Sequence, residues 1–381
     1  MKKVLFVATV VKTHIMQFHI PYLKMFKEMG WETAVAARND YGNPDDCIIP
    51  YCDQYYDIPF ERSPFSIRNI SAYMELKRII SEDNYSIIHC HTPVGGVLTR
   101  LAAKSKRNDG VKVFYTAHGF HFFDGAPLKN WIIYYPVEKI LSLYTDVLIT
   151  INREDYERAK MHFFAKNTEY IHGIGVNIKK FQECIIDREK KRASIGVLPE
   201  EFMLLSVGEL CERKNPLSII EALHILDLKN QLGNIKYISV GSGELENEIK
   251  CRIAKYNLST HVTMLGYRND VNELCHSADC FIHPSVREGL GIAPLEAMAC
   301  GLPIIASNIN GMKEFVEDNF TGYCVNPKKN DQIADAIMKM TLDKDFRMKC
   351  RLYNPEVAAR YDLRQSEKEM MEIYRKHGNL Q

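Results

Sequence analysis

The chain has 381 residues, with Lys+Arg at 49, Asp+Glu at 48 and a formal net charge of +1, so no global field recruits nucleic acid. Hydrophobic residues at 46% and charged residues at 25% are the composition of a globular protein rather than a disordered or fibrous one. The length predicts about two domains, no uninterrupted apolar run approaches the roughly 18 residues that span a bilayer, and eleven dispersed cysteines without a Cys-x-x-Cys pair point to reduced thiols in a cytoplasmic protein.

Residues 1–7 are too short for a secretory leader and read as a first strand. Further short apolar runs at 33–37, 87–90, 113–117 and 147–151, with a weaker one at 170–171, alternate with helical spacing at 72–80 and 94–103. Ile15, Phe18, Leu23 and Phe26 fit one apolar helix face, with Pro21 starting or kinking that helix. The alternation stops around Phe181, and the charge run 187–192 reads as a solvated helix face opening a linker. A second series follows at 202–207, 236–240, 261–265, 280–283, 304–306 and 322–325, with helices expected at 331–340 and 366–376. Strands alternating with helices predict α/β domains with parallel sheets. The count gives two doubly wound domains, 1–182 and 183–360.

The richest stretch is 285–306. The apolar run through His283 stops at Pro284, Pro294 suits a first helical turn, Gly301 suits a C-terminal cap and Pro303 forbids continuation. Between strand and helix lies Gly289-Leu290-Gly291-Ile292, a loop whose free N–H groups and positive helix end suit a phosphate. Glu288 stands in that loop, and Glu296 stands eight positions on, in or near the first turn. Alone, Glu296 is equally well explained as complementing the helix dipole, worth about 0.3–1 kcal/mol, and Glu288 as a solvated loop residue. Two carboxylates flanking a phosphate-friendly loop fit a polyhydroxylated ligand, because carboxylates accept from hydroxyls.

Together these residues resemble the Glu-x7-Glu signature of family 4 glycosyltransferases, and the resemblance extends along the chain. It implies the GT-B architecture, two Rossmann-like domains facing a central crevice, with segment 361–381 crossing back as a helix onto the first domain. It implies a retaining transfer from a nucleotide-diphosphate sugar. Glu296 would accept from ribose hydroxyls and Glu288 from hydroxyls of the donor sugar. The opening residues 5–9 and 19–23, with Val207-Gly208-Glu209-Leu210, look closest to bacterial enzymes of capsule and exopolysaccharide assembly.

Other segments gain meaning from the same resemblance. Arg213 and Lys214 follow a strand end, where ligands bind in open α/β sheets; read alone they are solvated surface, and read with the family they contact the donor diphosphate. Many relatives carry arginine where this chain has Glu209, which throws that load onto Arg213 and Lys214. Gly208, and the Gly241-Ser242-Gly243 turn, resemble further donor-binding turns, and Tyr267 with Arg268 falls in the segment that reads the base. In the first domain, His118-Gly119 resembles an element whose histidine contacts the donor sugar. Lys12 and His14 are candidates to face the acceptor. His89 and His91 are read as pointing to opposite faces of a strand, and Asp343 with Asp345 as a chance Asp-x-Asp, so no metal site is expected.

The expectation is thus a metal-independent glycosyltransferase, needing no cofactor and using by default a UDP-sugar. Its acceptor would be a glycan or polyprenyl-diphosphate-linked sugar. Peripheral contact of the first domain with the inner membrane surface is expected through Arg100, Lys104, Lys106 and Arg107, which are equally explained as a solubilising face. A sugar-nucleotide 2-epimerase of the same fold and a non-catalytic nucleotide-sugar sensor remain as alternatives.

Overall fold

A computed structural model of the chain describes residues 2–173 and 175–380. It divides into two compact units, Met1–Ile174 with Ser366–Gln381, and Gly175–Gln365.

The first unit is built on β1 (Lys3–Val10), β2 (Glu32–Arg38), β3 (Gln54–Asp57), β4 (Ile87–His91), β5 (Lys112–Ala117), β6 (Val147–Thr150) and β7 (Asn167–Tyr170). They form one parallel sheet in the order β3-β2-β1-β4-β5-β6-β7. Val4 through Ala8 have no exposed surface, as a central parallel strand covered on both faces requires. The edge strand β3 carries the polar run Gln54–Asp57, half-buried at best, which is why no apolar alternation announced it.

The second unit contains β8 (Phe202–Val207), β9 (Ile235–Val240), β10 (Val262–Met264), β11 (Cys280–His283), β12 (Ile304–Ser307) and β13 (Gly322–Val325). Its sheet is also parallel, ordered β10-β9-β8-β11-β12-β13. Both sheets therefore reverse strand order once, between β1 and β4 and between β8 and β11. At such a reversal the flanking helices leave in opposite directions and open a crevice beyond the carboxyl ends of the strands.

Four expectations need correction. The division falls at 174/175 rather than 182/183, because the helix Ile178–Gln182 belongs with the second unit. There the Phe181 carbonyl lies 2.6 Å from His276 Nε2 and accepts from Cys300 Sγ. The returning segment starts at Ser366 rather than 361, since Tyr361 and Leu363 pair through their backbones with Val176. It then packs the buried Tyr374 hydroxyl 2.5 Å from His89 Nδ1.

The charge run does form a helix, Arg188–Ser194, with Glu189 and Lys190 exposed, but its other side is packed rather than opening a linker. Arg192 is 2% exposed and donates to the carbonyls of Ser277 and Leu198 and to Asp279, while Lys191 pairs with Asp270 and Glu273. The basic cluster of the first unit is likewise no open face. Arg100 is fully buried, 2.8 Å from Glu138 and with its Nε donating to the Gly96 carbonyl. Arg107 forks onto Asp146 at 2.9 and 3.0 Å. All eleven cysteines are free thiols. Among the described residues no helix is long and apolar enough to cross a membrane.

Candidate functional site

In the second unit the reversal between β8 and β11 gathers a cluster of charged side chains. The loop after β8 runs from Gly208 to Asn215 and the loop after β11 from Pro284 to Gly291. They are tied together by the Val286 N–H donating to the Arg213 carbonyl at 2.9 Å, and by Asn215. That asparagine, in the left-handed region at φ +57°, donates to the carbonyls of Pro284 and Pro327.

Glu288 is the centre of this arrangement and is only 6% exposed. Its Oε1 accepts from Lys214 Nζ at 2.7 Å, from Ser285 Oγ at 2.7 Å and from His283 Nε2 at 2.9 Å. Its Oε2 has a single longer contact, Arg213 Nη1 at 3.3 Å. Burial alone would raise this carboxyl, but Lys214, His283 and Arg213 hold it well below the usual carboxylate range. Burial, and the positive charges of Lys214 and Arg213, keep His283 below its ordinary value. It is a neutral imidazole that donates from Nε2. Oε1 is thus saturated, while Oε2 retains room for another donor. His283, Ser285 and Asn215 are site residues that spacing did not single out; His283 and Ser285 flank Pro284 just before the glycine loop, and Asn215 follows Lys214.

Glu209 turns away from this cluster. It is largely exposed and only 3.9 Å from Arg213 at its nearest approach. The Lys214 stem passes over Gly208, where a Cβ would touch its Cε at 3.7 Å. Gly241 and Gly243 have a packing role: a Cβ on either would collide with the carbonyl oxygen of Gly208 or of Leu210. The turn after β9 is thereby laid directly on the turn after β8.

The glycine loop ends in Gly291, which caps the helix Ile292–Ala299 at φ +95°, a conformation that side chains resist. Leu290 beneath it is buried. A Cβ on Gly311 would strike the Gly289 carbonyl, so this loop too lies backbone against backbone. Because the helix starts at Ile292, Glu296 is its fifth residue and lies beyond the first turn, which removes the helix-dipole explanation. Its half-buried carboxyl has no hydrogen bond or ion pair to the protein among the described residues. Burial pushes it up to about 7, against the pull of Lys180. Tyr267 is exposed after β10, and Arg268 is held by Asp270 at 2.8 and 2.6 Å. Asp343 caps the helix Lys344–Ala359 by accepting from the Phe346 N–H, a structural role.

The first unit's reversal is built differently. β1 gives way to a π-helical turn, Val11–Ile15, that carries His14; His19 sits between two helices, and His91 ends β4. His89 and His91 share a face, correcting the opposite-face reading: residues two apart on a strand point the same way, and these rings are 4.1 Å apart. His118, after β5, brings its Nε2 to 3.3 Å from His91 Nδ1, and its ring lies edge-on to that of His14. Burial lowers His118 to about 4 and His89 to about 3. The Arg213, Lys214, Glu288 and glycine-loop residues are thus brought together in one unit, while His118 belongs to a histidine cluster in the other.

The chain resembles known proteins over its whole length. Residues 187–357 match the family described as glycosyl transferases group 1, and residues 3–152 the family described as glycosyl transferase 4-like. A putative glycosyltransferase EpsD of Bacillus subtilis is 41% identical over 98% of this chain and 96% of its own. A UDP-Gal:alpha-D-GlcNAc-diphosphoundecaprenol alpha-1,3-galactosyltransferase of Escherichia coli is 32% identical over 74% of each chain. In three dimensions the Anabaena Alr3699/HepE structure, in complex with UDP and glucose, superposes with a TM-score of 0.77 at 18% identity, covering 99% of this chain and 100% of that one.

Proposed function

The chain belongs to the group 1 glycosyltransferases and has their GT-B fold, and on that footing we propose that it transfers a sugar, with retention, from a nucleotide-diphosphate sugar to a glycan or polyprenyl-diphosphate-linked acceptor in exopolysaccharide or capsule synthesis. The observation that carries this reading is the Glu288 cluster. A buried carboxylate orients Arg213 and Lys214 beside a helix N-terminus at the carboxyl edge of a doubly wound sheet. Two relatives are named for acceptors that are diphospho-undecaprenol-linked sugars, which supports the acceptor class. UDP in the Anabaena complex supports a uridine nucleotide.

In this reading the acceptor hydroxyl attacks the anomeric carbon from the side of the departing diphosphate. The bond from that carbon to the phosphate oxygen breaks, a new carbon–oxygen bond forms, and the hydroxyl proton passes to the departing phosphate oxygen. Arg213, Lys214 and the N–H groups beyond Gly291 stabilise the charge that grows on the diphosphate. No divalent ion and no cofactor is assigned to that step. Oε2 of Glu288 accepts from a donor-sugar hydroxyl, and Glu296 accepts from the ribose. Incubating the protein with UDP-sugars, with and without a polyprenyl-diphosphate-linked sugar, tests the reading. Product that requires the acceptor supports it; a changed donor without acceptor would assign an epimerase, and binding without turnover a sensor.

Peripheral membrane contact, if the acceptor is lipid-linked, falls to the helix Leu128–Leu141 rather than to the basic cluster. Leu128, Ile132, Val137 and Ile140 are exposed there, together with Lys129, an interfacial pattern. Ile132→Asp with Ile140→Asp should release the protein from vesicles containing anionic lipid; unchanged binding would remove this contact.

A further inference from the structure

The histidine cluster of the first unit is explained neither by core packing nor by the donor site. We propose that His14, His19 and His91 bind a divalent transition-metal ion of the zinc class at the carboxyl edge of β1 and β4. One ligand atom from each of the three lies within 4.8 Å of the others. Four ring nitrogens among them, His14 Nε2, both nitrogens of His19 and His91 Nε2, are buried without a hydrogen-bond partner. Buried polar atoms are normally satisfied, so unpartnered nitrogens on all three rings need a cause. A cation supplies it, because each neutral imidazole has one ring nitrogen with a lone pair to give.

The surroundings fit a ligand set. His91 uses its other nitrogen toward His118, as metal-bound imidazoles do toward a second group. His89 is accounted for by Thr116 at 2.8 Å and Tyr374 at 2.5 Å, so it braces the cluster rather than joining it. His14 is placed by a π-helical turn, a distortion frequent at functional sites. Three imidazoles without a carboxylate suit zinc, copper, nickel or iron(II) rather than magnesium or calcium. Tetrahedral zinc spaces its nitrogens about 3.3 Å apart, so the rings close by up to about 1.5 Å, leaving a fourth position for water or an acceptor oxygen.

The test needs neither donor nor acceptor, so its failure is separable from failure of the transferase reading. The full chain is stripped with a strong chelator, dialysed, and titrated with Zn²⁺ alone by calorimetry and with Co²⁺ alone by visible absorption. One equivalent per chain and the absorption of a four- or five-coordinate nitrogen site are expected. His14→Ala and His19→Gln should weaken Zn²⁺ binding by more than the roughly 10–100-fold that loss of an outer-shell partner costs, while the exposed His162→Ala leaves it unchanged. Circular dichroism verifies folding; His14, at 9% exposed, is the substitution the core tolerates best if the His19 variant does not fold. Absence of uptake, uptake unchanged by His14→Ala, or a spectrum of weakly held octahedral cobalt would overturn the site and leave the histidines as a polar lining.

Discussion

Each unit reverses its strand order at the same point in its topology, and the two reversals carry opposite chemistry. Beyond β8 and β11 a buried carboxylate, a lysine, an arginine and a histidine form a closed network around fixed charges. Beyond β1 and β4 the same place in the sheet holds neutral imidazoles, several with unpaired nitrogens. Equivalent topology thus supplies equivalent geometry, an edge where loops converge, and leaves the chemistry to the loop residues. The charged edge suits a diphosphate. The neutral edge suits lone-pair donation.

The largest effect that would sharpen this contrast is expected from Lys214→Ala. It removes a preorganised cation from the diphosphate and should cost turnover about 2.7–4 kcal/mol. It also leaves Glu288 buried with weaker pairing, and breaking a buried pair costs about 3–5 kcal/mol of stability. Thermal unfolding and kcat measured together separate the two losses. Lys214→Arg should recover only part of the turnover, because a planar fork does not reproduce a compact ammonium bonded to one oxygen.

Glu288→Gln should come next. The amide can keep the Ser285 contact and roughly the same volume, so the fold and nucleotide binding should survive while transfer falls. Equal losses of binding and turnover would mean that Glu288 acts only through Lys214 and Arg213.

Glu296 makes a smaller, pH-dependent prediction. Its folded value, near 7, lies above that of an unfolded carboxyl, so between about pH 4.5 and 7 the folded state binds more protons and stability falls as pH rises. Binding of an intact nucleotide sugar should move the other way, strengthening from pH 6 to 8 as the carboxylate ionises. Glu296→Gln should flatten that profile. A rising profile in the variant would place the titrating group elsewhere.

How much of this was legible in the sequence varied with distance along the chain. The central strands stood out because Val4–Ala8 and Cys280–His283 are continuous apolar runs. The glycine loop stood out because Glu288, Gly291 and Pro294 are near neighbours. What stayed hidden depends on partners far away. Arg100 and Arg107 looked like a basic face until Glu138 and Asp146, 38 and 39 positions on, took them up. The histidine cluster draws on four separate segments, and no local spacing joins His14 to His91 and His118. Glu209 was an open question that geometry answers: its exposed carboxylate makes only a long, solvent-screened ion pair with Arg213 at 3.9 Å. Glu209→Ala should therefore change stability and nucleotide binding by no more than about 0.5 kcal/mol.

The central claim is that the charged edge holds the donor diphosphate through Arg213 and Lys214 without a divalent ion. Calorimetric titration of a UDP-sugar into the wild type and Lys214→Ala, both in excess EDTA, tests it most directly. The account predicts saturable binding by the wild type in chelator and a loss on the order of 100-fold in the variant, the size of one lost preorganised donor. Binding that vanishes in EDTA and returns with Mg²⁺, or a variant that binds as tightly as the wild type, would contradict it.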